Sequence, residues 1–316
     1  MRRDDDRHSV LDDERAGCAL CQAMAAVAAC APGRLAPAQP GRRWFTGALV
    51  AAGLSATWPA QAQRDGVDVG GTSGFTRLVP AEHIEQAAAQ QYRQMLREAQ
   101  AQQALAGPSH PQLVRLRFIA ERMIPHALTW NPRSRQWQWE VNLIGSKQIN
   151  AFCMPGGKIA FYTGILQRLK LTDDEVAMIM GHEMAHALRE HARERMGKTA
   201  ATRLGAGLLS SLLGLGNVGD LVLNMGAQLL TLKFSRENET EADLVGLELG
   251  ARTGYDPRAG VSLWNKMMQA SPGAPPQFLS THPAGDTRIR EIESVLPRVM
   301  PLYERAPRPP RRFDPA

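Results

Sequence analysis

Cysteine is scarce: there are four in 316 residues, and Cys18, Cys21 and Cys30 all fall within the first thirty positions. That excludes a small domain stapled by disulfides. Cys18 and Cys21 form a C-x-x-C pair, but no second pair completes a zinc site and no βαβ pattern frames a redox motif. Charge of one sign is also lacking. Against 31 Asp and Glu stand 37 Lys and Arg, a net +6 scattered along the chain, with no RNP, zinc-finger or basic-region pattern. Nucleic acid is therefore not an expected partner. Long hydrophobic runs are missing as well. The uncharged stretch 46–58 is shorter than a bilayer span, and Asp220 divides 204–232 into uncharged pieces of 16 and 12 residues. No internal repeat is visible. An apolar content of 44% rules out a disordered or collagen-like chain and suffices for one sizeable core.

Residues 1–62 do not read as folded structure. An acidic start (Asp4, Asp5, Asp6, Asp12, Asp13, Glu14) precedes a Pro- and Ala-rich stretch at 31–41. Arg42-Arg43-Trp44-Phe45, the uncharged run after it and Pro59-Ala60-Gln61-Ala62 then supply the basic, apolar and A-x-A parts of a secretory signal near 42–62. The paired arginines admit a twin-arginine route, and a start at Met24 would explain the distance from Met1. The rival readings are a disordered extension and a lipid anchor at Val27-Ala28-Ala29-Cys30. Cleavage after Ala62 leaves Cys153 as the sole cysteine, so the mature domain must be held by its core. The expected divisions are leader 1–62, lead-in and N-terminal helix 63–109, main domain 110–304 and disordered tail 305–316.

Within the main part, helical composition or spacing predicts helices over 81–105 and 112–124. Alternation predicts a strand over 137–143, and two more strands are expected at 150–154 and 158–163 around Pro155-Gly156-Gly157. Thr172-Asp173-Asp174-Glu175 is a capping box opening a helix to about Met196. The apolar 204–232 segment reads as two short buried or lid-like helices, and helices over 236–252, 257–270 and 286–303 complete the chain.

The informative residues are Gly181-His182-Glu183-Met184-Ala185-His186. On a helix, His182 and His186 share a face and can grip one cation, with Glu183 beside them to take a proton from water. Two imidazoles plus a carboxylate suit zinc, which needs a third protein ligand. Glu237, Glu239 and Glu241 compete for that place. Glu239 shares its face with Ala242, Asp243, Gly246, Leu247 and Gly250, small enough for close approach to another helix, and is the expected ligand. Asp243, one turn on, is placed to accept a hydrogen bond from His182 and fix its tautomer. The bland alternatives are a surface histidine pair and a solvated helix N-terminus. His191 and Tyr162 are expected to be structural.

The His182–Glu183–Met184–Ala185–His186 motif, the run from Ser235 through Arg236, Glu237, Asn238, Glu239, Thr240, Glu241 and Ala242 to Asp243, and Thr281-His282-Pro283 with Arg288 together resemble the HtpX-like and CAAX-prenyl-protease family of zinc metallopeptidases. The segment from Asn150-Ala151-Phe152 to Gly164 looks like that family's entry to its active-site helix. The resemblance implies an α+β, mainly α-helical, zincin-like domain of the gluzincin type, with a small sheet next to the motif helix. It implies one zinc per chain, with Glu239 as third ligand. His282 would hydrogen-bond the oxyanion or approach the metal in a closed resting state, and Arg288 would orient His282 or the substrate carbonyl. Strand 158–163 would be the edge that pairs with an extended peptide.

The expected function is a zinc endopeptidase acting on unfolded or misassembled envelope proteins, from the soluble exported bacterial branch. Its expected place is the periplasm, with outer-membrane association and peripheral membrane contact as options. The alternatives are a chaperone-like binding protein with a latent metal site and a hydrolase of small molecules.

Overall fold

The computed structural model describes residues 65–207, 229, 232–270, 277–282 and 286–316, the side chains of 203–207 and 286 excepted. The expected leader and most of segment 204–232 lie outside the described residues. Helix α1, Ala81–Ala101, buries Ile84, Ala88 and Tyr92 along one face. It stops short of the expected 105, where Gln103 turns to φ 55°. Helix α2, Pro111–Met123, has proline in its first turn, where no amide hydrogen bond is lost, and buries Leu113, Leu116, Ile119 and Met123.

Three strands form one sheet: β1 Glu140–Ile144, β2 Ala151–Met154 and β3 Lys158–Tyr162, in the order β1-β3-β2. β1 runs parallel to β3, and β2 antiparallel. The first strand begins later than expected, because the alternation at 137–139 comes from tryptophans packed in a turn. Trp137 Nε1 donates to Glu85 at 2.9 Å and Trp139 Nε1 to the Ser134 carbonyl at 3.2 Å. One expectation is corrected outright: 158–163 is not an edge. The turn through Gly156 (φ 83°) and Gly157 (φ 77°) folds β2 onto one side of β3, and β1 occupies the other. A side chain at Gly157 would strike the Trp139 ring at 2.7 Å.

Helix α3, Thr163–Leu169, runs directly off β3. The capping box at Thr172 and Glu175 is present and opens α4, Asp173–Leu188. The helix expected to reach Met196 instead breaks at Glu190, whose φ is 59°, and restarts as α5, His191–Gly207. Ser235 and Asn238 cap α6, Arg236–Arg252, reciprocally. Then follow α7 Ala259–Gln269, α8 Gln277–Thr281 and α9 Asp286–Arg305. Among the described residues no helix is long and apolar enough to cross a membrane.

The core gathers α2, the sheet, α4, α6 and α7. Helix α4 packs against β2 on one side and α6 on the other. Gly181 and Gly246 meet where α4 and α6 cross: a Cβ on Gly246 would lie 2.6 Å from the His182 nitrogen. The tail expected to be disordered is instead laid on the domain. Phe313 N donates to Asp173 Oδ2 at 2.8 Å, Arg312 pairs with Asp174 at 2.8 Å, and the Pro307 carbonyl accepts from Arg122 at 2.7 Å.

Candidate metal centre

The close α4–α6 crossing brings the two motif histidines and Glu239 together. One ligand atom from each of His182, His186, Glu239 and His282 lies within 4.8 Å of the others, and all four residues are buried. His182 Nε2 is 3.1 Å from His186 Nε2 and 3.3 Å from His282 Nδ1. Glu239 oxygens lie 3.6 Å from His182 Nε2, 3.6 Å from His186 Nε2 and 3.0 Å from His282 Nδ1. A tetrahedron with zinc–nitrogen arms has edges of about 3.3–3.4 Å. Separations of 3.0–3.6 Å among three imidazoles and a carboxylate therefore fit a zinc ion. Of the competing glutamates, Glu237 is exposed, and Glu241 turns to Arg189 and His191.

Asp243 lies where expected: its Oδ1 is 3.0 Å from His182 Nδ1. A carboxylate only accepts, so the His182 proton sits on Nδ1 and the Nε2 lone pair faces the cluster. Arg288 is elsewhere than expected. Its Nε and Nη2 each donate to Asp243 at 2.7 Å, Nη1 lies 2.8 Å from Glu239 Oε2, and its guanidinium stacks 3.8 Å from the Trp264 ring centroid. It therefore braces the two carboxylates from behind. His282 joins the donor atoms, with Nδ1 on Glu239 and Nε2 3.7 Å from Glu183 Oε1.

Aromatic rings seal the cluster: Phe234 stacks on His186 at 4.1 Å between centroids, and Phe278 on His282 at 4.6 Å. Burial in these surroundings pushes the Glu183 carboxyl above its ordinary range, and its Oε1 accepts no hydrogen bond among the described residues. Burial and neighbouring histidines push His186 well down. Burial opposes charge on His282, but Glu183 and Glu239 prevail and raise it. Burial likewise opposes charge on Asp243, yet Arg288 and His182 pull it down to about 2. Glu239 is lowered against its burial by His282, His182 and Arg288.

A cleft opens beside Glu183, His186 and His282, lined also by residues 150–155 around β2 and by Leu229, Leu232 and Phe234. The Tyr162 backbone N–H donates to the Asn150 carbonyl, so in the antiparallel ladder Ala151 and Cys153 aim their backbone groups away from β3. The residue that sequence reasoning missed is His191, buried with its Nδ1 2.9 Å from His186 Nδ1. Tyr162, also set aside, is half-buried with its ring against Phe152.

Comparison with known proteins accords with this geometry. The family described as Peptidase family M48 matches residues 112–296. The chain is similar to the mitochondrial metalloendopeptidase OMA1 of Arabidopsis thaliana, 41% identical over 167 residues, covering 52% of this chain and 33% of that protein. Its counterpart in Schizosaccharomyces pombe is 39% identical over 163 residues, covering 51% and 47%. The β-barrel assembly-enhancing protease of Escherichia coli is 26% identical over 194 residues, covering 58% and 39%. The chain thus spans from about a third to under half of the length of these relatives. The expected periplasmic, outer-membrane-associated location is overturned, because the relatives at 41% and 39% identity are mitochondrial by name and the bacterial assembly protease is more distant. A family match covering more than half of the sequence, over the residues that build the buried His–His–Glu–His cluster, settles the kinship: the chain belongs to peptidase family M48.

Proposed function

We propose that this protein is a zinc-dependent endopeptidase that cleaves unfolded or extended polypeptides in protein quality control. The carrying observation is the buried donor cluster with Glu183 at its margin, itself buried and, among the described residues, without a hydrogen bond on Oε1. His182, His186 and Glu239 would hold the metal. When bound, zinc supplies Lewis acidity, activating water and polarising a carbonyl. Glu183 takes the proton from water and passes it to the leaving nitrogen, and its raised carboxyl suits both transfers. His282 stands among the donor atoms, which supports the closed resting-state role over the oxyanion role. Arg288 acts through Asp243 and Glu239, as a positioning residue.

The substrate strand belongs on β2. Ala151 and Cys153 offer main-chain groups toward the cleft, and main-chain pairing reads an extended peptide without regard to its sequence. The names of the relatives, metalloendopeptidase and assembly-enhancing protease, add weight to polypeptide substrates. The proposal retains the leader at 1–62, the lead-in and helix at 63–109 and the metallopeptidase domain from 110.

Glu183→Gln separates this reading from a binding protein with a latent metal. It should cut cleavage of an unfolded casein-type substrate roughly a hundred- to ten-thousand-fold. Zinc by metal analysis should stay at one per chain. Cleavage that survives the change would refute the mechanism.

A further inference from the structure

His191 is buried at 1% exposure and has no part in the mechanism above. On an unbroken helix, residues five apart point about 140° away from each other. The break at Glu190 removes that separation and returns His191 to His186, with the two Nδ1 atoms 2.9 Å apart. At that distance one nitrogen must carry a hydrogen, and the other side of His191 decides which. Its Nε2 lies 3.4 Å from Glu241 Oε2, outside hydrogen-bond geometry, yet close enough that the carboxylate charge repels a lone pair there and favours an N–H. The His191 hydrogen therefore sits on Nε2, and its bare Nδ1 accepts from His186 Nδ1–H. A neutral His186 with hydrogen on Nδ1 has a free lone pair on Nε2, the atom that faces His182 at 3.1 Å. Glu241 is held in turn by Arg189 Nε, and Arg189 Nη2 donates to the Gly70 carbonyl at 2.9 Å.

We propose that His191, braced by Glu241, is the positioning residue that locks His186 in its metal-binding tautomer. The inference rests on His186 being a ligand, as proposed above. The two motif histidines are then oriented differently: His182 by a carboxylate directly, His186 through a second imidazole. Removing such a partner typically lowers metal affinity ten- to a hundredfold, and a neutral acceptor belongs at the low end.

The test compares His186→Ala, His191→Leu and His191→Gln by chelator competition for zinc and by the absorption bands of the cobalt-loaded protein, alongside the wild-type ring tautomers by nitrogen NMR. His186→Ala should abolish high-affinity zinc binding. His191→Leu should weaken zinc roughly tenfold and shift the cobalt bands, while His191→Gln, whose amide oxygen can accept from His186, should recover most of the loss. In the zinc-loaded wild type, hydrogen should be found on His186 Nδ1 and His191 Nε2. Wild-type affinity and bands in His191→Leu, with zinc lost in His186→Ala, would overturn the positioning role alone. Zinc retained in His186→Ala would overturn the ligand reading and this inference with it. If His191→Leu does not fold, the wild-type tautomers decide, since hydrogen on His191 Nδ1 is incompatible with the proposal.

Discussion

At the scale of single residues, the centre depends on charges that burial opposes and neighbours restore. Asp243 is the clearest case, buried yet held down to about 2, with Arg288 and His182 outweighing the burial. Its folded value lies below the ordinary carboxylate value, so its contribution is present above about pH 4 and lost as the pH falls toward 2. The shift corresponds to about 2 kcal/mol. Urea titrations of metal-free protein across pH 2–4 should show this slope in the wild type and less of it in Asp243→Asn; an equal slope in both would remove Asp243 as its source. Legibility at this scale follows distance along the chain. His182, Glu183 and His186 were readable because helical spacing fixes their relation, and Glu239 because its helix face carries small residues. The placement of His191 depends on a left-handed residue at Glu190, with no glycine or proline there to announce it. Arg288 was known only through resemblance, and its pairing with Asp243 joins two helices far apart in sequence.

At the scale of elements, the site is a consequence of how closely α4 and α6 can cross. A capping box at Thr172 marks the start of α4 in the sequence, whereas the reciprocal cap of Ser235 and Asn238 on α6 emerges only in the structure. The crossing itself was visible only as a run of small residues on the Glu239 face. Sheet order was not legible, because alternation tells which side of a strand is buried but not which neighbour it takes. Gly246→Ala tests the crossing. On an open helix the change would gain up to about 1 kcal/mol from propensity. Here the new Cβ meets backbone, 2.6 Å from the His182 nitrogen and 2.9 Å from the Gly181 carbonyl carbon, and no side-chain rotation relieves that. Overpacking should win, lowering stability by about 1–3 kcal/mol and weakening zinc binding as Glu239 moves away from the histidines. Gly250→Ala is the control on the same helix. Its Cβ presses on the flexible end of Met178, at 2.2 Å to Cε, and meets Met123 Cε at an ordinary 3.9 Å, so it should be nearly neutral in denaturant titration. Equal effects from the two would show that the glycine contact does not set the crossing.

At the scale of the whole molecule, the C-terminal residues show what composition cannot tell. A Pro- and Arg-rich ending reads as disordered because it has no apolar period of its own, yet its partners lie elsewhere in the chain. Pro307 receives Arg122 from α2, and Phe313 packs its ring 5.5 Å from that of Phe118 on the same helix. Phe313 N and Arg312 reach Asp173 and Asp174, the first residues of the helix that carries both motif histidines. Asp173 also holds Arg115, fully buried, at 2.6 Å. The tail thus completes the set of partners around the start of the ligand helix without approaching its catalytic end. Ending the chain after Ala306 removes the Pro307 carbonyl that accepts from Arg122, one amide donor to a carboxylate, one partly exposed ion pair and a ring contact, together about 2–4 kcal/mol. For a domain of this size each kcal/mol is worth about 2–4 °C, so calorimetry should show melting lowered by several degrees. Zinc content should stay at one per chain, because the ligands and their supports are intact. An unchanged melting temperature would show that the tail contacts contribute no net stability. Lost zinc would show that the start of α4 controls the geometry of its histidines more than its helical hydrogen bonds do.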